Sequence, residues 1–266
     1  MKIFISADIE GCAGVAMRDE THKAEPVYRQ FADEMTDEVL EACEALHHEG
    51  ADEITVKDGH GDASNIDPLC MPDYVTLIRG KSGHPYNMMS GLDSSFDGVV
   101  YIGYHAAAGD SGSPLSHTST GNSLYIRLNG APMSEFLLNS YTAASLGVPV
   151  LFLSGDEAIC RQSQKMVPSL SVCYTKRGMG ASVSCVSRNR ILTGIREGVK
   201  AAVHGHLSDG LIPMPEKFVY EVTFKDWKRA YQMSFYPGMH QVDDFTDKLV
   251  SSQWIDIVTA HSFVVY

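Results

Sequence analysis

Asp8 and Glu10 stand two positions apart in KIFISADIEG, directly after an apolar run. On an extended chain residues i and i+2 project to the same side, here about 6–7 Å apart at ~3.3 Å per residue. Two like charges so placed repel unless something positive lies between them. His60 in DEITVKDGH and His105 in GVVYIGYHA follow two further apolar runs in the same manner. Carboxylate oxygen and imidazole nitrogen are the donors preferred by zinc and similar divalent ions. These four residues could hold one ion. They could hold two if a carboxylate bridges and one more ligand joins, for which Glu135, at a predicted helix start, is the candidate. His117, in the loop SPLSHTS, could move a proton near neutral pH.

Each residue also has a plainer explanation. Asp8 and Glu10 alone could form a solvated strand end, His60 and His105 could be turn histidines, and His117 a polar loop residue. Glu135 could simply favour the positive end of a helix dipole, worth about 0.3–1 kcal/mol. What favours chemistry is convergence, because separate strand ends deliver metal-type side chains to one edge. The other histidines, such as His47, His48, His204 and His206, show no comparable company.

The elements that must position these groups are legible as apolar runs. Ile3–Ile5, Ile54–Val56, Val99–Ile102 and Val148–Leu153 are near-continuous and rich in β-branched residues, as parallel strands buried on both faces require. Helical spacing recurs between them, at Phe31, Met35, Val39, Cys43 and Leu46, again from Ser134 to Gly147, and at Ile191, Ile195 and Val199. Strand–helix alternation predicts an α/β fold, a three-layer α/β/α arrangement with a mainly parallel sheet. Residues 216–266 change character and predict a smaller C-terminal α+β part, read as strand, short helix, loop and strand. The expected organisation is one unit over 1–266, with room for two intertwined subdomains. Gly- and Ser-rich loops at 59–68, 79–98 and 105–122 flank the strand ends, where open α/β sheets collect ligands.

Composition narrows the field. The 266 residues are 44% hydrophobic and carry a formal charge of −12, which disfavours nucleic acid and anionic membrane as partners. No apolar stretch approaches the ~20 residues that span a bilayer. No secretory leader is visible, and the six cysteines lack C-x-x-C spacing, so reduced thiols in a cytoplasm are expected.

The ordered motifs resemble the zinc-dependent D-aminopeptidases of the dipeptide-transport operon type, whose hallmark is S-x-D-x-E-G. Ser6, Asp8, Glu10 and Gly11 fit it, and the likeness continues through KDGH at 57–60, GYHA at 103–106, SHT at 116–118, SEFLLN at 134–139 and VPVLFLSGD at 148–156. It is good over the first 200 residues and looser over the last 60. The resemblance implies two zinc ions per chain. Asp8 would bridge both, with Glu10 and His105 completing one site and His60 and Glu135 the other. It implies that His117 is the catalytic histidine, described as a nucleophile. It also implies a ring-shaped homodecamer. Lys57, where an uncharged amide is common, and Gly59-His60-Gly61, in place of a more serine-rich turn, depart from the pattern and bear on the substrate side chain.

The expected activity is release of N-terminal D-amino acids, of the D-Ala type, from short peptides by metal-activated water. A histidine nucleophile is not required for this, so His117 as proton shuttle or oxyanion stabiliser is an equal reading. The alternatives are a dinuclear metal phosphoesterase, another amidase, or a non-catalytic peptide-binding protein.

Overall fold

Alternate residues of the central strands enter two different cores, which is why these runs are apolar without interruption. Ile3, Ile5, Ala7, Val100 and Ile102 belong to one core, Phe4, Val99 and Tyr101 to the other. The computed structural model describes residues 1–266. Its first half runs β1 (Lys2–Ala7), α1 (Tyr28–His48), β2 (Glu53–Asp58), β3 (Val75–Ile78), β4 (Gly98–Tyr104), β5 (Ser123–Leu128), β6 (Ala131–Pro132) and α2 (Glu135–Ser145). The rest runs β7 (Val150–Asp156), α3 (Glu157–Met166), β8 (Ser171–Met179), β9 (Ser182–Cys185), α4 (Arg188–His204), β10 (Phe218–Phe224), α5 (Trp227–Met233), β11 (His240–Gln241), β12 (Thr246–Ser251) and α6 (Trp254–Val264).

Seven strands form a sheet in the order β3-β2-β1-β4-β7-β8-β9, parallel except for the final β8–β9 hairpin. Apolar residues of α1 and α4 fill one face and those of α2 and α3 the other, giving the expected three layers. α1 buries Met35, Val39, Cys43 and Leu46 along one stripe, and Gly50 at φ +90° ends it in a conformation that favours glycine.

The second sheet is antiparallel, in the order β11-β12-β10-β5-β6. β10 alternates strictly, with Phe218, Tyr220, Val222 and Phe224 inward. The C-terminal strands pair with a hairpin from mid-chain, β5–β6, and not only with one another. α2 lies between the two sheets: Phe136 packs in the core of the first, Leu138 in that of the second. The helix that starts with Glu135 is therefore held from both sides. The reading of the tail as strand, short helix, loop and strand lacked α6, which buries Trp254, Ile257, Val258 and His261.

Candidate metal centre

The carboxyl ends of β1 and β2, the loop around His117 and the start of α2 line a cavity of about 610 Å³, and the end of β4 lies against the first of these. Close backbone approach brings them together. A side chain on Gly11 would meet the Tyr104 carbonyl at 1.9 Å, so only glycine lets the turn after β1 lie against the end of β4. Lys176 of β8 reaches under that turn and donates to the carbonyls of Glu10, Cys12 and Val15. All three ammonium hydrogens are thereby used. Asp156, at the end of β7, caps α3 through Ile159 N–H and accepts Ala106 N–H, fixing the residue after His105. Asp58 accepts from Asn65 and Ile66 and so closes the loop that follows His60.

Three histidines share one arrangement. His60 Nε2 lies 2.9 Å from the Thr21 carbonyl, His105 Nδ1 2.9 Å from that of Ala106, and His117 Nδ1 2.8 Å from that of Leu115. A carbonyl only accepts, so each of these nitrogens donates, and the other ring nitrogen of a neutral imidazole is left bare. The bare nitrogens face carboxylates. His60 Nδ1 is 3.3 Å from Asp8 Oδ1 and 2.9 Å from Glu10 Oε2. His105 Nε2 is 3.5 Å from Asp8 Oδ2 and 3.6 Å from Glu135 Oε1. His117 Nε2 is 3.8 Å from Glu135 Oε1, and its ring stacks on His105 at 4.3 Å.

These contacts are not hydrogen bonds. Glu10 Oε2 and His105 Nε2 are buried with no hydrogen-bond partner, the former despite its 2.9 Å approach to His60. Acceptors facing acceptors in a buried site need a cation between them. Without a metal, protons supply it. Burial alone would lower the imidazole pKa values, yet Glu10 and Asp8 hold that of His60 well above its ordinary value, and Asp8 and Glu135 do the same for His105. Burial would raise Asp8, but His105 and His60, when they carry the proton, outweigh it and keep this carboxyl well below the usual range. Donation of each second ring nitrogen to a carbonyl is the orienting pattern of metal-bound histidine, so the donor set fits a divalent ion.

The structure thus brings Asp8, Glu10, His60, Glu135 and His117 to one cavity, with buried His105 directly behind Asp8, Glu135 and His117. Two sets of donor atoms are mutually within 4.8 Å: Asp8, Glu10 and His105, and His105, His117 and Glu135. The first is the grouping expected for one ion. In the second His117 stands where His60 was expected, while His60 lies against Glu10. Glu135 accepts the Ser119 N–H at 2.7 Å, and Ser134 caps its helix. Ser119 in turn bonds His261, whose other nitrogen meets Tyr220. Lys176, Asp58, Asp156, Ser119 and His261 carried no signal as site supports, because their contacts depend on how loops and distant segments fold together. Lys57 does not line the cavity. Its ammonium donates to the carbonyls of Asp58 and Gly80 behind the wall.

Comparison with known proteins identifies the family of the chain. The family Peptidase_M55, described as D-aminopeptidase, matches residues 1–263. A D-aminopeptidase of Bacillus subtilis (strain 168) is 28% identical over 244 residues, covering 90% of this chain and 86% of the relative. A solved structure, described as the Zn-dependent D-aminopeptidase DppA from Bacillus subtilis, a self-compartmentalizing protease, superposes with a TM-score of 0.92. It is 24% identical, and the match covers 100% of this chain and 97% of the other, so it carries the fold. With a family match running almost end to end, the chain belongs to the D-aminopeptidase family and is a hydrolase of the metallo-aminopeptidase kind.

Proposed function

We propose that this aminopeptidase works with two zinc ions per chain and releases small N-terminal D-residues, D-Ala above all, from short peptides. The observation that carries the reading is the set of bare histidine nitrogens and unpartnered carboxylate oxygens gathered around Asp8. Asp8 is the shared ligand, one oxygen toward His60 and the other toward His105; Glu10, His60, His105 and Glu135 complete the donor set. Bound zinc supplies Lewis acidity for the scissile carbonyl and for water.

The chain's own residues do the rest. His117 is the proton carrier: the Leu115 carbonyl fixes its Nδ1–H, leaving Nε2 to accept a proton from the attacking water and return it to the leaving amine. Acidic groups beside the cavity favour a free substrate ammonium over an acetylated terminus. Small glycine walls at Gly59 and Gly61 line the same space.

We read residues 1–266 as one peptidase unit, because α2 is packed by both cores. Self-association into a ring-shaped homodecamer is part of this reading. It is supported by the exposed aromatics Trp227 and Tyr231 on α5 and Phe235 just after it, with Phe263 of α6 also exposed. No helix is long and apolar enough to cross a membrane, and six unpaired cysteines suit a reducing cytoplasm.

The test combines zinc analysis of the purified protein with a peptide panel. The expected result is two zinc ions per chain, turnover of free D-Ala-D-Ala and D-Ala-Gly-Gly, weaker turnover of the L-peptides and little of the N-acetylated forms. Loss of a charge-assisted amine contact costs about 1.5–3 kcal/mol, one to two decades in rate. Equal rates on free and acetylated peptides would overturn the aminopeptidase specificity, and hydrolysis of p-nitrophenyl phosphate in preference to anilides would favour a phosphoesterase.

A further inference from the structure

Two cations in this acidic cavity, Arg18 and Lys81, are left without a carboxylate, and only Lys81 is anchored beside a proposed metal ligand. Arg18, Lys23 and Lys81 all line the cavity. Lys23 is neutralised by both oxygens of Asp62, at 2.6 and 2.8 Å. Arg18 lies at the exposed rim with its Nε on His22. Lys81 donates instead to two neutral acceptors, the Gly59 carbonyl and Asn87 Oδ1, each at 2.9 Å. An ammonium has three hydrogens, so one remains. The contrast with Lys176, buried and saturated by three carbonyls, separates a structural lysine from one with a donor to spare.

The position of Lys81 is built. It follows β3 through Gly80, whose carbonyl is gripped by buried Lys57 and whose N–H binds the Ala63 carbonyl at 2.6 Å. Asn87 adopts φ +46°, a region asparagine tolerates better than most residues. Its amide nitrogen donates to the Tyr266 hydroxyl, so Asn87 is itself held from the far wall of the cavity. The carbonyl that anchors the Lys81 ammonium belongs to Gly59, the residue before His60. The cation therefore sits one peptide unit from a proposed metal ligand, within reach of one or two residues of extended substrate at ~3.5 Å each.

We propose that Lys81 is the receptor for the substrate's C-terminal carboxylate, and that Asn87 is the positioning residue that aims it. This rests on the aminopeptidase reading above and ranks free dipeptides above longer peptides within its substrate class. With the N-terminal amine and scissile carbonyl at the metal centre, the carboxylate of a dipeptide extends toward the Lys81 ammonium that lines the same cavity. A longer peptide places an uncharged amide there. Lys57, a departure from the family pattern, then bears on specificity through the Gly80 turn and not by touching substrate.

The test compares ligands that differ only at the C-terminus. In the zinc-loaded enzyme, D-Ala-D-Ala is expected to exceed its C-terminal amide by about 10- to 100-fold in kcat/KM, chiefly through KM. Lys81→Met removes that preference and leaves turnover of the amide unchanged. Asn87→Asp, which supplies Lys81 with a competing carboxylate, reduces it in the same direction. Arg18→Met leaves it intact. A reduced-bond dipeptide, with CH2–NH in place of the amide, gives a calorimetric readout independent of turnover, and its free acid binds wild type tighter than its amide but binds Lys81→Met no tighter. Equal binding of acid and amide by wild type overturns the proposal, as does an equal loss on both in Lys81→Met or transfer of the effect to Arg18→Met. If the free acid is favoured in binding while no peptide is turned over, the carboxylate receptor stands and the aminopeptidase reading falls.

Discussion

The two sheets of this molecule do different work, and they were unequally visible in the sequence. The parallel sheet carries every proposed ligand: Asp8 and Glu10 after β1, His60 after β2 and His105 after β4, with Glu135 on a helix packed against its face. The antiparallel sheet carries none. It braces the site from behind, through Tyr220 on β10, His261 on α6, and Ser119 to Glu135. Parallel strands all point one way, so the loops at one edge can pool their side chains. Antiparallel strands divide their ends between two edges, and this sheet contributes packing and second-hand hydrogen bonds.

The largest way to break that division is at Asp8. Asp8→Ala removes the carboxylate that touches both His60 and His105, and it is expected to lose both zinc ions and reduce hydrolysis to background. Metal analysis by plasma emission checks this; a full zinc complement in the variant would refute the shared role. His117→Ala is the next largest. As a proton carrier it costs about 10²–10⁴ in kcat, or roughly 3–5 kcal/mol at 1.36 kcal/mol per decade, with zinc retained. The short distance to Glu135 makes the competing outcome specific: loss of one zinc would make His117 a ligand. Trapping of an acyl-enzyme by wild type would make it a nucleophile.

How much of this was readable follows from the same contrast. β1, β2, β4 and β7 are buried on both faces, so their apolar runs stand out in one dimension. The polar residues that end them were legible as a site for that reason. β8 has a mixed pattern, with Thr175 and Lys176 buried beneath the β1 turn, and its character depends on Glu10, far away in sequence. β5 and β6 belong to a sheet completed some 90 residues later, and no local pattern announces such pairing. α6 is apolar on several sides because it fills the space between α2 and the second sheet, so it shows no amphipathic stripe. The support residues were illegible for a common physical cause. Lys176, Asp58 and His261 act through contacts that exist only after folding.

Acidity gives a finer test, because the two halves respond with opposite sign. In the parallel-sheet half, Glu38 of α1 is fully buried. Its Oε1 accepts the Ala13 N–H at 2.6 Å, and its Oε2 has no partner. Burial pushes its carboxyl up to about 7. The folded state therefore holds a proton that the unfolded chain releases near 4.5. That stabilisation is complete at low pH and is lost as pH rises through about 7. Glu38→Gln keeps the acceptor and removes the charge. It is expected to gain about 2–3 kcal/mol more at pH ~8 than at pH ~5, read by urea unfolding. An equal effect at both values would place the ionised carboxylate in contact with water or a cation.

In the antiparallel half the corresponding group is His261. It is 3% exposed, with Nε2 2.8 Å from Ser119 Oγ and Nδ1 3.0 Å from Tyr220 Oη. Both partners are hydroxyls, each able to donate or accept, so a neutral imidazole is satisfied on both sides. Burial pulls its pKa down to about 4, and Glu135 only partly opposes this. The folded state then binds fewer protons than the unfolded chain, whose imidazole titrates near 6.5. The contribution is present above that value and is lost as pH falls toward about 4. Between pH ~7 and pH ~5 it amounts to about 2 kcal/mol. His261→Gln should flatten the acid limb of stability by that amount, whatever its effect at neutral pH. Acid also releases metal from the other half, but it does so in both proteins, so the difference in slope isolates His261. Hydrogen exchange locates the effect: amides of β10 and α6 should lose protection on acidification in wild type and change less in the variant. Identical slopes for the two proteins would show that His261 takes up its proton without loosening the sheet, and the brace behind Glu135 would then be insensitive to acid.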